Sequence, residues 1–443
     1  ADLRNILSFE RDYPEAKVVL LEQNYRSTKT ILELASDIIS ANIQRKPKAL
    51  WTENELGSPV AIIESYTEEE EAQSVVSEIE KLVGQKQISL KDCAVMYRVN
   101  AQSRALEETF IRYGVPYKLV GGTRFYRRQE VKDVIAYLRI IRNPHDNVSL
   151  SRIINVPARG IGSRTLSKLQ AWAKDNNTSL YDALNQLVER ETASWRVAPA
   201  LARFVALINE LTAKSRELNL AELLDEILGC TKYKEYILDK EDGEERWENI
   251  IELRNVASEY SEFNPEEALD NFLEKVSLVS DVDELDEKAD TVTLITLHQA
   301  KGLEFPVVFI VGMEEGILPH RKSFDSPEEM EEERRLCFVG VTRAQKRLYL
   351  LRSYRRSLFG GSTNPPSRFL QDISPHLVII KGLWEESLSP LVNVSSHPPL
   401  YSSDTLNLKE GDHVRHSKFG DGIVVSCFPN RGDQELTVTV IIH

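Results

Sequence analysis

Tyr25 and Arg26, in the stretch LEQNYRST at 21–28, are the first residues of the chain whose types suggest chemistry. A guanidinium in a strand-to-helix turn suits phosphate oxygens, to which arginine offers paired donors. Two later segments hold matching polar residues: TLHQAKGLEF at 296–305, and EEERRLCFVGVTRAQKRLYL at 331–350. If all three follow strands of one parallel sheet, then Arg26, Gln299, Lys301, Glu304 and Arg343 meet at its carboxyl edge, although hundreds of residues separate them. Two arginines and a lysine gathered there suit a polyphosphate in transfer, where fixed cations stabilise the charge that develops on phosphoryl oxygens. Read locally, the same pair is an ordinary packing tyrosine and an arginine that caps a helix or pairs with Glu22.

Hydrophobic periodicity predicts the elements that must position these residues. Strands are expected over 17–21, 59–64, 92–97 and 116–120, alternating with helices over 28–43, 68–83 and 102–113, which indicates a parallel sheet with crossover helices. From about Gly122 to Lys288 the chain reads as helical and charged, with amphipathic stretches near 129–142, 163–175, 199–217, 220–228 and 266–278. The strand–helix rhythm then resumes at 291–298 and 306–312, followed by a helix over 328–345 and a strand over 347–353. The expected organisation is an α/β domain built from 1–121 and 289–375, interrupted by a mostly helical domain at 122–288. Gly121-Gly122 and the acidic run 281–288 are its expected hinges. A Pro- and Ser-rich linker is expected over 376–410. Alternating residues between Gly-containing turns predict a small antiparallel, SH3-like β module over 411–443, read as incomplete where it stops at His443.

Composition narrows the class. With 443 residues and 42% hydrophobic content the chain can bury more than one core. No apolar run approaches the ~18 residues of a membrane helix, and the start lacks the layout of a signal peptide, so a soluble cytoplasmic protein is expected. The four cysteines are far apart and read as buried thiols, and the eight histidines show no metal-ligand spacing. Net charge is −14, but Arg98 to Arg142 holds ten Lys/Arg against four Asp/Glu, and Arg334 to Arg356 holds eight with no acid. These runs are expected to form basic stripes for phosphates, with the acidic runs Glu68–Glu71, Asp281–Glu287 and Glu328–Glu333 as solvated helix starts and linkers.

Six long segments in order carry a family resemblance: LEQNYRST, MYRVNAQSRALEE, GGTRFYRRQEVKDVIAYLRIIRN, INVPARGIG, TLITLHQAKGLEFPVVFIVGMEEGILPH and EEERRLCFVGVTRAQKRLYL. Over about residues 1–375 they resemble the C-terminal motifs of superfamily 1 DNA helicases of the UvrD/PcrA/Rep type, and 411–443 resembles that family's Tudor-like domain. The resemblance implies a RecA-like second motor domain acting with ATP and Mg²⁺. It implies that Tyr25 stacks on adenine, that Arg26 and Arg343 are arginine fingers, and that Glu304 approaches the ribose or phosphates. Gln299, Lys301 and Gly302 are implied on the nucleotide side, with Gln299 and Lys301 coupling nucleotide state to DNA grip. Single-stranded DNA contacts are implied for Arg98, Asn100, His298, His320 and Phe359. His298 also reads as a residue that bonds a neighbouring backbone group and shapes its turn. Gly160-Ile161-Gly162, ahead of a helix from Ser163, reads either as a cradle for a duplex DNA phosphate or as a plain capping turn. Phe125-Tyr126 suits a core or a stacking platform equally, and the five tryptophans default to packing.

The family's GxxxxGK[ST] phosphate loop does not occur in the 443 residues, nor does a strand ending in the paired acids that hold Mg²⁺. The first motor domain is therefore expected to be absent and the chain alone inactive on ATP. Two functions follow: the C-terminal portion of an ATP-driven 3′-to-5′ DNA helicase in repair or replication, nucleoid-associated, or a non-catalytic DNA- or RNA-polymerase-binding protein descended from one. In either case repair proteins or RNA polymerase are candidate partners of the C-terminal module. The retained Tyr25, Arg26, Glu304 and Arg343 favour the first.

Overall fold

The chain divides into two compact units, residues 1–387 and 388–443. The structure, a computed structural model, describes residues 12, 13, 15, 17, 19–43, 50–189, 197–280, 290–356 and 364–381 of the first, and 413–416, 420–429 and 436–442 of the second. Phe359, the acidic run 281–287 and most of the expected linker lie outside the described residues.

The first unit is built on seven parallel strands: β1 (Val60–Ser65), β2 (Cys93–Tyr97), β3 (Tyr117–Val120), β4 (Val292–Thr296), β5 (Phe305–Ile310), β6 (Ala344–Ser353) and β7 (Val378–Lys381). Their order across the sheet is β3-β4-β2-β5-β6-β1-β7. β2, β4 and the inner part of β5 are buried on both faces, as a parallel sheet covered by helices requires. One face packs on Ile31, Leu34, Ala35 and Ile38 of the helix Lys29–Ser40 and on the helix Pro327–Val341. The other packs on Val75, Val76 and Ile79 of the helix Glu68–Gly84 and on Leu106 and Phe110 of the helix Ser103–Arg112. β7 falls inside the stretch expected as linker, where it pairs with β1.

Between the neighbouring strands β3 and β4 the chain makes nine helices, from Gln129–Arg142 to Pro265–Ser280 among the described residues, around a core drawn wholly from 125–276. Phe125 and Tyr126 belong to that core, and the Tyr126 hydroxyl donates to Glu108 at 2.7 Å. No helix of the described residues is long and apolar enough to cross a membrane. The second unit has three antiparallel strands, β8 (His413–His416), β9 (Gly420–Pro429) and β10 (Leu436–Ile442), in the order β10-β9-β8.

Three expectations need correction. The described part of 17–21 is not a strand: Val19, Leu20 and Leu21 are exposed, and only Gln23 forms an isolated bridge, to Trp51. Trp51 is itself 46% exposed rather than packed. Cys93 and Cys337 are buried thiols, but Cys230 is exposed.

Candidate nucleotide face and strand cleft

Arg26 lies in a turn held by side-chain hydrogen bonds rather than by a preceding strand. The Asn24 carboxamide oxygen accepts from the backbone N–H of Arg26 and of Ser27, each at 2.9 Å. Ser27 is fully buried and its hydroxyl donates to the Ala344 carbonyl at 2.7 Å, which fastens the turn to the first residue of β6. Asn24 and Ser27 are thus the residues that aim Arg26, and the preference of Asn for bonding backbone N–H groups two and three residues ahead is the sequence signal for the first.

The Arg26 Nε donates to Glu304 Oε2 at 2.5 Å and its Nη1 to the Thr342 carbonyl at 3.3 Å. Glu304, just ahead of β5, also accepts from Gln345 Nε2 at 3.1 Å. The hydrogen bond from Arg26 holds its carboxyl below the usual range. Arg343, just ahead of β6, donates to the carbonyls of Val339 and Leu303 at 3.0 and 3.1 Å and to the Thr342 hydroxyl at 3.2 Å. Desolvation and the nearby Arg26 charge hold its guanidinium below its ordinary value. Tyr25 presents its ring to solvent at 77% exposure. Lys301 and Gly302 are exposed on the same segment as Glu304, and Gly302 takes φ +94°, a conformation that favours glycine. Arg26, Glu304 and Arg343 therefore do meet, but beside the amino ends of β5 and β6, not at the carboxyl edge expected of them. The segment after β4 crosses the depth of the sheet, and only its start remains at the carboxyl end.

At that carboxyl end, Arg98, Asn100, His298, Gln299 and His320 line one cleft of about 480 Å³ with Glu245, Glu248 and Lys322. Gln299, implied on the nucleotide side, donates from Nε2 to the Gly121 carbonyl at 2.9 Å. Gly121 has φ +70°, and a side chain there would meet the Gln299 carboxamide. Among the described residues the His298 ring makes no hydrogen bond, so the expected backbone bond is not formed. Desolvation and the Arg98 charge keep its imidazole below the ordinary range, against the pull of Glu333 and Glu332.

The other cleft residues are paired with carboxylates. Glu333 takes the Arg98 guanidinium at 2.7–3.0 Å. The helix Gly243–Ser258 supplies Glu245 to Asn100, Glu244 to Lys322, and Glu248 to His320 Nε2 at 3.2 Å. None of these four glutamates is a site residue in the sequence reading.

Gly160-Ile161-Gly162 lies elsewhere, at the start of the helix Ser163–Asp175. The Ile161 side chain is buried and its N–H donates to Asn155 at 3.1 Å, so that N–H is already taken. Gly160 has φ +77°, whereas Gly162 has φ −75° with open space where a Cβ would stand.

Comparison with known proteins gives a consistent set of relatives. Residues 19–355 match the family described as UvrD-like helicase C-terminal domain. The ATP-dependent DNA helicase PcrA of Bacillus subtilis is 44% identical over 446 residues, covering 96% of this chain and 60% of that protein. PcrA of Staphylococcus epidermidis is 44% identical over 458 residues, 99% of this chain and 62% of its own length. PcrA of Staphylococcus aureus is 43% identical over 457 residues with the same coverage. The chain thus spans about three-fifths of the length of these curated relatives.

Proposed function

Because the chain belongs to the family of UvrD-like helicase C-terminal domains, we propose that it is the C-terminal portion of an ATP-driven 3′-to-5′ DNA helicase of repair or replication. In this reading 1–121 and 289–375 form the second of two RecA-like motor domains, and 122–288 is an inserted DNA-binding domain. The 411–443 module is Tudor-like and docks RNA polymerase or repair proteins in a nucleoid-associated, cytoplasmic setting. Arg343 carries the reading: it is a half-buried guanidinium bonded to carbonyls and a hydroxyl, beside a second arginine on an open face. Such a group keeps its charge for an incoming anion.

The residues present fit part of an ATP site. Tyr25 offers a free ring face to adenine, Arg26 and Arg343 offer donors to phosphoryl oxygens, and Glu304 with Lys301 and Gly302 borders them. ATP supplies the phosphoanhydride whose cleavage drives movement, and the two arginines stabilise the charge that develops on its oxygens. The phosphate loop and the Mg²⁺ ligands are assigned to the first motor domain. Val19, Leu20 and Leu21, exposed at 67, 47 and 78%, are a strand sequence without a sheet, which suits a face that such a domain covers. Single-stranded DNA is assigned to the cleft of Arg98, Asn100, His298 and His320, together with Phe359. Duplex DNA is assigned to the Gly160–Gly162 turn. Gln299, reaching Gly121, links the two sites through the short segment that ends at Glu304.

The test is hydrolysis. The purified chain is expected to turn over no ATP with or without single-stranded DNA, and the chain joined to a phosphate-loop domain is expected to do so. DNA-stimulated turnover by the chain alone would overturn this division of labour.

A further inference from the structure

Glu333 lies on the helix Pro327–Val341 and is not part of the lining of the strand cleft. Its carboxylate nevertheless makes four contacts to residues of that lining. Arg98 Nε donates to both oxygens at 3.0 and 2.9 Å, Arg98 Nη2 donates to Oε1 at 2.7 Å, and the His320 backbone N–H donates to Oε2 at 3.0 Å. One side chain, in a residue only 8% exposed, therefore fixes two loops that leave the sheet after β2 and after β5.

The geometry at Arg98 is selective. Glu333 occupies Nε and one Nη2 hydrogen, which leaves Nη1 and the second Nη2 hydrogen for another acceptor, since a guanidinium has five donors in a rigid plane. The backbone of the same residue is held separately: Gln102 Oε1 accepts from the N–H of Arg98 and of Val99, each at 3.0 Å. The guanidinium plane is thus set by Glu333 alone among the described residues.

We propose that Glu333 is a positioning residue for single-strand binding, holding the free edge of Arg98 and the His320 loop where they receive the phosphates and bases of one strand. This rests on the reading that Arg98 and His320 touch that strand. Glu333 acts through them and touches no nucleotide itself.

Charge and orientation give opposite signs here, which makes the proposal testable. A carboxylate close to a phosphate site repels phosphate, so if Glu333 contributed only charge, its removal would tighten binding. If it orients Arg98, its removal weakens binding because a flexible guanidinium must be ordered by the strand.

The measurement is fluorescence anisotropy of a labelled oligothymidine titrated with the full 443-residue chain across a salt series. Glu333→Gln is expected to lower affinity about tenfold, the scale of one charge-assisted contact. The slope of log affinity against log salt should become shallower by about 0.7, one phosphate on a single strand. Glu333→Asp keeps the charge but shortens the reach, and should also weaken binding. In an Arg98→Ala background the effect of Glu333→Gln should shrink to what His320 contributes. Circular dichroism melts establish that each variant is folded, and Glu333→Asp stands in if Glu333→Gln is not. Tighter or unchanged binding by the folded Glu333 variants, with Arg98→Ala weakened, overturns the proposal. If neither Arg98→Ala nor His320→Ala weakens binding, the strand-cleft reading fails and the proposal with it.

Discussion

The two ends of the seven-stranded sheet hold positive charge in different ways. Beside the amino ends of β5 and β6, Arg343 is bonded to carbonyls and a hydroxyl, and Arg26 to one exposed glutamate and the Thr342 carbonyl. At the carboxyl end, Arg98 and Lys322 each have a carboxylate partner, and the His320 ring meets Glu248. The junction between sheet and helices goes further. Arg104 is 1% exposed and is met by Glu68, Glu69, Glu108, Glu252 and Glu259, and Arg356 is met by Glu68, Glu71 and Glu314. A guanidinium surrounded by acids has its charge committed to the scaffold, because its desolvation is offset only by those partners. A guanidinium bonded to neutral oxygens is still able to take an anion.

Exchanging the two kinds of arginine should produce opposite phenotypes. In a protein that joins this chain to a phosphate-loop domain, Arg343→Ala is expected to lower kcat for ATP by about 10³-fold, with nucleotide affinity changing much less and the melting temperature unmoved. Arg26→Ala should follow it with some loss of affinity. Arg104→Ala should instead destabilise the fold by about 3–5 kcal/mol, because it strands buried carboxylates, and should be read as a fall in melting temperature. A similar fall for Arg343→Ala, or none for Arg104→Ala, would break the distinction.

The junction also explains what the sequence could not reveal. The run Arg98–Arg142 looks like a basic stripe, yet Arg104 and Arg128 are buried, and Arg142 is paired with Asp270. Arg334, Arg335, Arg352 and Arg356 of the second run are paired as well. Glu68 and Glu71, expected in solvent at a helix start, are their buried counterparts. Charge density along a chain is visible in the sequence, but a partner such as Glu252, 148 residues from Arg104, is not. Periodicity succeeded where burial is apolar, as at β2 and in the helices Glu68–Gly84 and Gln129–Arg142. It missed the helix Gly243–Ser258, whose inward face includes Asn249 and Glu252 and so breaks the hydrophobic repeat. Over the described residues 19–21 the composition of a strand is present without a sheet to receive it, and strand propensity has no effect without a partner.

Glu107 sharpens the comparison from within the junction, as a carboxylate with too few cations. It is buried, accepts from the Ser103 hydroxyl at 2.6 Å and from the Phe125 N–H at 3.2 Å, and has the Arg128 charge nearby. Burial raises its carboxyl from 4.5 to about 7. The folded chain therefore holds a proton there that the unfolded chain has already lost, and stability falls as pH rises through this window. At ~1.4 kcal/mol per unit this amounts to about 3 kcal/mol. Glu107→Gln should flatten the dependence of melting temperature on pH between 4.5 and 7. An unchanged pH profile would show that Glu107 is ionised throughout.

The smallest expected effect concerns Glu245 and Glu248, which contact the strand cleft from the helix Gly243–Ser258. A single strand reaching Asn100 and His320 must displace both carboxylates, so part of its binding energy is spent on breaking existing contacts. Glu245→Gln with Glu248→Gln is expected to raise affinity for an oligothymidine by about two- to fivefold, the scale of one net hydrogen bond. Removing two negative charges anywhere on the protein favours a polyanion slightly, so Glu217→Gln with Glu235→Gln, two exposed changes outside the cleft lining, serves as the control for the general field. The gain should exceed that control and should persist at salt concentrations where charges more than about 8 Å apart are screened. A gain equal to the control would mean that the strand does not enter between Asn100 and Glu245. The direction matters most, since loss of Glu333 should weaken binding while loss of Glu245 and Glu248 strengthens it. Carboxylates on one cleft then act with opposite sign, according to whether they orient a donor or occupy it.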